Sequence, residues 1–172
     1  QHATTKMLKS MRRGITREKT DALINTIRET LPELTLRTTL ISGYPGETLE
    51  DHEEMLKWVD EQKFDRLGVF TYSHEENTHA FLLEDDVPEE EKKRRAEEIM
   101  ERQTHISLDK NQAKVGQVMK VLIDRKEGDL YYGRTEGDSP EVDNEVVIQS
   151  VENYLRVGDF VNVKIIGADL YD

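Results

Sequence analysis

The segment from Thr38 to Leu56, TTLISGYPGETLEDHEEML, constrains the fold more than any other part of the sequence. A run of β-branched and leucine residues passes through two glycines and a proline directly into an acidic stretch. The uninterrupted apolar run predicts a strand buried on both faces, as in a parallel sheet. Thr48 and Asp51 have the spacing of a helix capping box, and acids crowd the turn that follows. The segment therefore predicts a strand, a tight loop and a helix in direct succession.

The neighbouring segments continue this alternation of helix and strand. Leu23, Ile27 and Leu31 form an apolar stripe for a helix that begins after Thr16, and the run 67–73 predicts a second strand. Helices and strands that alternate with short connections predict parallel strands joined by right-handed crossovers. Two strands are too few for a stable sheet. We therefore expect an α/β fold in the form of a partial (β/α) barrel, whose first half lies outside this chain.

The pattern changes after Val115. Short alternating segments, separated by Gly, Asp, Asn and Pro turns, predict strands at 118–124, 130–134, 145–149 and 160–166. Four or five short strands in this length indicate a small all-β, five-stranded barrel of the oligonucleotide-binding (OB) type. We therefore predict an α/β domain with a connecting helix at residues 1–113, followed by an OB-like barrel at 114–172.

The charge balance limits the class of partner. The 172 residues include 36 acids against 24 lysines and arginines, which gives a net charge of −12. A free-standing nucleic-acid binder usually has a basic face, so we expect a basic or neutral partner rather than nucleic acid. Acidity that serves only solubility is equally consistent with these numbers.

Several kinds of site are excluded by missing residue types or spacings. Because the chain has no cysteine, it contains no disulfide, no thiolate zinc site and no ligand for an iron–sulfur cluster. His74 and His79 are five apart in a loop rather than four apart on a helix, so we predict no metal site there. No apolar run approaches about 20 residues, so we predict no membrane span and a cytoplasmic location. A first residue other than methionine, Gln1, is expected of a piece of a longer protein.

The loop from Gly43 to Thr48 is the main candidate for a ligand site. In α/β sheets and barrels, ligands bind at the carboxyl ends of the strands. Gly43 and Gly46 leave room for a ligand or allow a positive φ, and Pro45 restricts the turn. A tight turn without any ligand explains these residues equally well.

Three stretches of the sequence carry a family resemblance: QHATTKMLKSMRRG at 1–14, RTTLISGYPGETLED at 37–51 and FDRLGVFTYSHEE at 64–76. They resemble the later half of the radical S-adenosylmethionine (SAM) domain of methylthiotransferases. The segment from Val115 resembles the TRAM domain of the same enzymes. Within the family, GRTEGDSPEVDNEV at 133–146 is similar to the branch that acts on ribosomal protein S-twelve.

The resemblance implies a reaction and its cofactors. The parent enzyme would insert a methylthio group at the β-carbon of an aspartate of ribosomal protein S-twelve, using SAM and two four-iron four-sulfur clusters. This chain lacks the cluster cysteines, so we expect it to be inactive alone. Two alternatives stay open. One is a related enzyme acting on adenosine in transfer RNA, which a basic patch around Lys114, Lys120 and Arg125 would favour. The other is a non-catalytic binding module.

The resemblance also implies particular site residues, with no catalytic residue and no metal ligand among them. The TRAM domain would hold the protein substrate, and one loop supplies the candidate contacts Asp138, Glu141, Asp143 and Asn144. Asn77 replaces a usual glycine, and asparagine tolerates a positive φ. The SAM pocket would be lined by ten residues of the first domain: Arg12, Arg13, Thr39, Ile41, Gly43, Pro45, Gly46, Glu47, Phe70 and Tyr72.

Overall fold

The computed structural model describes residues 1–149 and 154–169, and the chain divides into two compact units, Gln1–Ile106 and Ser107–Asp172. The domain boundary expected near Lys114 stays a prediction. The predicted end of the second domain, at Asp172, lies outside the described residues.

The first unit alternates helices and strands, as predicted. A short 3-10 helix at Ala80–Leu82 precedes the last helix. The other elements are α1 (Thr5–Ser10), α2 (Arg17–Thr30), β1 (Arg37–Ser42), α3 (Leu49–Gln62), β2 (Arg66–Thr71) and α4 (Glu89–Gln112).

Three threonines begin the first three helices. The side chains of Thr4, Thr16 and Thr48 each accept a hydrogen bond from a backbone N–H of the first turn. The predicted capping box of α3 is confirmed, because Asp51 also accepts a bond from the backbone N–H of Thr48. These caps satisfy helix N–H groups that have no partner within the helix.

The two strands of the first unit are parallel, as predicted. Thr39 pairs with Gly68, and Ile41 pairs with Phe70. On the other edge of β1, the Gln1 amine donates to the Thr39 carbonyl, and the Ile41 N–H donates to the Gln1 carbonyl. These two bonds on either side of Leu40 follow the pattern of parallel pairing, although Gln1 is the only residue that takes part and the sheet itself has two strands among the described residues.

The prediction that β1 is buried on both faces is wrong for this chain. Its Leu40 face is buried against α3 and α4 residues that include Trp58 and Ile99, whereas Thr39 on the opposite face is exposed. Phe70, which pairs with Ile41 on this open face, is 67% exposed. The second face is only partly covered, since Ile41 packs against the cluster of Met7, Tyr44 and Tyr72 while Thr39 and Phe70 are exposed.

The predicted apolar stripe of α2 is also wrong. Leu23 and Leu31 are 53% and 54% exposed, whereas Ile24 is buried. Polar contacts join another face of α2 to α3, since Asp21 accepts from the Trp58 indole at 2.7 Å and Arg17 donates to Glu61 at 3.0 Å. The helix is therefore rotated relative to the face that hydrophobic periodicity selects.

The second unit contains a curled antiparallel sheet of four strands in the order β5-β4-β3-β6 among the described residues. The predicted five-stranded OB-like barrel stays unconfirmed. The inner face of the four-stranded sheet buries Val121, Ile123 and Tyr131, in line with the predicted alternation. The pairing of β3 with β4 is irregular between Ile123 and Arg125. The strands are β3 (Val118–Glu127), β4 (Leu130–Arg134), β5 (Val146–Gln149) and β6 (Phe160–Lys164).

Candidate functional site

The loops that follow β1 and β2 meet at the end of the sheet where both strands finish, called the carboxyl edge here. The Tyr72 N–H donates to the Ser42 carbonyl at 2.8 Å, which extends the strand pairing beyond β2. The rings of Tyr44 and Tyr72 then pack edge to face, with 5.3 Å between their centroids. In α/β sheets, ligands usually bind at the carboxyl ends of the strands, so the carboxyl edge is the expected ligand site.

Glycine occupies positions 43 and 46 of the loop for different physical reasons. Gly43 and Gly46 have φ values of 72° and 80°, so the expected positive φ is confirmed at both. A Cβ on Gly43 would lie 2.2 Å from Cγ of Lys92, whereas a Cβ on Gly46 would meet nothing within 4 Å. The close approach at Gly43 is therefore to α4. At Gly46 the N–H donates to Asp86 at 2.7 Å.

A buried carboxylate fixes the shape of this loop. Glu47 Oε2 accepts the Gly43 N–H at 2.9 Å and lies 3.3 Å from His2 Nε2. Glu47 Oε1 accepts from Arg95 Nη1 at 2.8 Å. His2 Nδ1 accepts the Thr4 N–H at 3.1 Å, so the proton of the neutral ring is on Nε2 and faces Glu47. The carboxylate thus connects the loop with the first residues of the chain and with α4.

The electrostatics of Glu47 follow from these contacts. Burial alone would raise its pKa, but the hydrogen bonds from His2 and Arg95 outweigh burial and hold the pKa below its usual value. The carboxylate is therefore ionised at neutral pH, and protein groups engage both of its oxygens. Glu47 acts on the site through the loop that it holds.

Lys92 fills the space behind Gly43. Its ammonium is bonded to Asp85 at 2.7 Å and to Glu89 at 2.5 Å, and it lies 5.2 Å from the centre of the Tyr72 ring. Burial alone would lower the pKa of Lys92, but the bonds to both carboxylates raise it. The side chain is 1% exposed, so this cation belongs to the packing of the site.

The structure brings together only part of the expected SAM pocket. Thr39, Ile41 and Phe70 share the open face of the sheet, which ends at the loop. Pro45 and Tyr72 are buried within the edge. Arg12 and Arg13 follow α1 with exposed side chains, and no described contact joins either guanidinium to the loop.

The predicted substrate loop of the second unit is braced by its own acids. The Asp138 carboxylate accepts from the N–H and hydroxyl of Thr135, and Asp143 accepts the Ser139 N–H at 2.6 Å. Glu141 has a φ of 63° and an exposed side chain. Asn144 is half-buried. The loop therefore presents Glu141 outward on a fixed backbone.

Comparison with known proteins identifies the chain's relatives. Residues 115–172 match the TRAM domain family. Over all 172 residues, the chain is 58% identical to a protein of Christiangramia forsetii, 58% to one of Flavobacterium johnsoniae and 55% to one of Cytophaga hutchinsonii. Each of these is named ribosomal protein uS12 methylthiotransferase RimO. By sequence, the chain is similar over its whole length to part of the RimO methylthiotransferases. It spans 38–39% of the length of these three relatives.

This result confirms the resemblance expected from the sequence, and these relatives carry the name of its uS12 branch. In the basic patch that would favour the transfer RNA branch, Arg125 is paired with Glu127 and Glu145. Lys120 instead lies over the ring of Phe160, at 4.6 Å from its centre.

Sequence reasoning missed His2, Lys92 and Arg95. The alternating acids and bases of α4 are typical of a solvated helix face, but Lys92 and Arg95 are 1% and 6% exposed. A signal was available in the sequence. These two residues extend the buried stripe of Ile99, Gln103 and Ile106 by two turns toward the start of α4, at the same helical spacing.

Metal-binding clusters and membrane-spanning helices are both absent from the part of the chain that the structure describes. Within the described residues, no group of three or more His, Cys, Asp or Glu side chains is arranged to hold a metal ion. His74 contacts Tyr72 and Phe81, and His79 begins the 3-10 helix. No helix in the described part of the chain is long and apolar enough to cross a membrane.

Proposed function

We propose that this chain is the SAM-binding edge and substrate-docking TRAM unit of a methylthiotransferase that modifies ribosomal protein uS12, the S-twelve protein. The observation that carries the proposal is the 58% identity, over the whole chain, to proteins named for this activity. The target would be the β-carbon of an aspartate. The activity belongs to the longer protein, because this chain contains no cysteine to ligate the two clusters.

The residues of the sheet edge suit SAM. Phe70 offers an open apolar surface to the adenine beside the half-buried Ile41, and Thr39 adds a hydroxyl on the same face. SAM, once reduced by a cluster, supplies the radical that removes a hydrogen atom from the substrate. The chain's own contribution is to bind and orient SAM. Glu47 and Lys92 serve this indirectly by fixing the Gly43–Glu47 loop before the ligand arrives.

The second unit suits a basic protein at the loop 135–145. Its backbone is fixed by internal bonds, and the exposed Glu141 provides a negative charge. Opposite charges on the two partners accelerate association and select the correct partner. A second candidate partner, single-stranded RNA, is favoured by one observation. Phe160 is 63% exposed beneath Lys120, which resembles a stacking platform beside a cation.

A binding titration separates these partners. A fluorescent peptide from the target loop of uS12 is titrated with the 172-residue chain at several salt concentrations, and an anticodon stem-loop is added as competitor. We expect peptide binding that weakens with salt and resists the RNA. Glu141→Lys should weaken binding, whereas the matched control Asp129→Lys, on the exposed β3–β4 turn, should not. RNA binding that is lost in Lys120→Gln would instead assign the second unit to nucleic acid.

A further inference from the structure

His74 is an exposed side chain that the protein holds in one orientation. Its Nδ1 lies 3.0 Å from the Tyr72 hydroxyl, and its ring meets the Tyr72 ring at 5.9 Å with an angle of 71°. The other side packs against Phe81, with ring centres 4.7 Å apart and planes inclined by 32°. Two aromatic neighbours and a hydroxyl therefore determine the orientation of an imidazole whose side chain is exposed.

The contact with Tyr72 decides which nitrogen of His74 carries a proton. Burial, followed by the charge of Asp85, raises the pKa of the Tyr72 hydroxyl, so the hydroxyl stays protonated. It needs an acceptor, and the one described for it is His74 Nδ1. The proton of the neutral ring is then on Nε2, and a charged ring carries a proton on Nε2 as well. Within the described residues no protein group bonds to this N–H.

The location of His74 joins it to the proposed SAM site. It follows β2 by three residues, and Tyr72 links it directly to Tyr44 of the Gly43–Glu47 loop. Asp85, the acid whose charge acts on Tyr72, is paired with the Lys92 ammonium at 2.7 Å. The carboxyl edge of the sheet thus presents an oriented N–H donor on His74, and the charge of Asp85 is balanced by Lys92.

We propose that His74 binds a carboxylate through its Nε2–H. This inference rests on the proposed function, which brings two carboxylates to this edge: that of the target aspartate and that of SAM itself. Both are the same chemical group, and a hydrogen bond from a fixed imidazole to an anion stabilises either one. In the first case His74 is a specificity residue for aspartate, and in the second it orients SAM.

Two double-mutant cycles distinguish these sources. The first compares wild type and His74→Phe in binding the uS12 peptide and its asparagine variant. The second compares the same proteins in binding SAM and decarboxylated SAM, which lacks the carboxylate. His74→Phe keeps the stacking on Phe81 but removes the donor. We expect the wild type to prefer one carboxylate ligand by about tenfold, and His74→Phe to lose that preference.

Matched variants control for effects on folding. His79→Phe changes an exposed histidine of the same loop and should keep the full preference. His74→Gln restores an N–H donor near the Nε2 position and should recover part of it. If wild type and His74→Phe discriminate equally in both cycles, the inference is wrong.

Failure of the proposed function has a different signature. If the wild type binds neither the peptide nor SAM, the proposed function fails in this chain. The inference is then decided by ring-nitrogen NMR of the 172-residue chain titrated with acetate. Saturable shifts of His74 that exceed those of His79 support carboxylate binding, and equal shifts of both overturn it.

Discussion

The two units of the molecule place similar charge pairs in opposite environments. In the first unit, the side chains of Glu47 and Arg95 are 0% and 8% exposed. In the second unit, Arg125 and Glu145 are 41% and 39% exposed. A buried charge that loses its partner remains desolvated, whereas water solvates an exposed one. The number of ion pairs in a unit therefore says little about its stability, and their burial says much more.

The largest effect is expected from Arg95→Ala. This change leaves the buried Glu47 carboxylate without its main partner, which typically costs about 3–5 kcal/mol. The free energy of unfolding, measured in urea, should fall by this amount. Arg94→Ala is the matched control on the same helix, because Arg94 pairs with Glu91 and Glu98 at the surface. An equal loss in both variants would contradict the comparison.

The next effect concerns the two loop glycines. Both have positive φ, so alanine at either position costs about 1 kcal/mol in backbone strain. Gly43→Ala should lose about 1–3 kcal/mol more, because its Cβ would collide with Lys92. Gly46→Ala isolates the backbone cost. If the collision is the cause, combining Gly43→Ala with Lys92→Ala should be less harmful than the sum of the single changes.

A smaller effect is expected from pH. The pKa of Glu47 is lower in the folded chain than its ordinary 4.5, so its ionised form adds stability above that pH. This contribution is lost as the pH falls through the folded-state pKa. The stability difference between wild type and Glu47→Gln should therefore narrow in acid. A difference that stays constant from neutral pH to about pH 3 would show that Glu47 stabilises through packing rather than charge.

The smallest effect is expected from Arg125→Gln in the second unit. Arg125 lies at the surface, and its partners Glu127 and Glu145 remain hydrated when it is replaced. The urea midpoint should not change measurably, and added salt should not alter the result. A loss comparable to that of Arg95→Ala would remove the distinction between the two units.

Local features were predictable from the sequence because their causes are local. The caps at Thr16 and Thr48 depend on residues within one turn, and the positive φ of Gly43 and Gly46 follows from the loop itself. The alternation around Val121 likewise follows from the period of a strand. In each case the sequence contains both the signal and its partner within a few positions.

Features that depend on distant partners could not be predicted. Arg95 is paired in sequence with Glu91, which suggests a solvated helix, yet its second partner Glu47 is 48 positions away. The face of α2 was missed for the same reason, since Asp21 receives the indole N–H of Trp58 across 37 positions. Periodicity identifies a stripe, but contacts from another element decide whether that stripe is covered.

The separation of Glu47 from Arg95 also has a kinetic consequence. Loop closure over 48 residues costs chain entropy that only the final contacts recover, so such contacts tend to form late. The Gly43–Glu47 loop needs α4 in place before its carboxylate is engaged on both oxygens. We therefore expect this loop to take its final shape among the last steps of folding. An incompletely folded chain would then present strands and helices without a competent pocket.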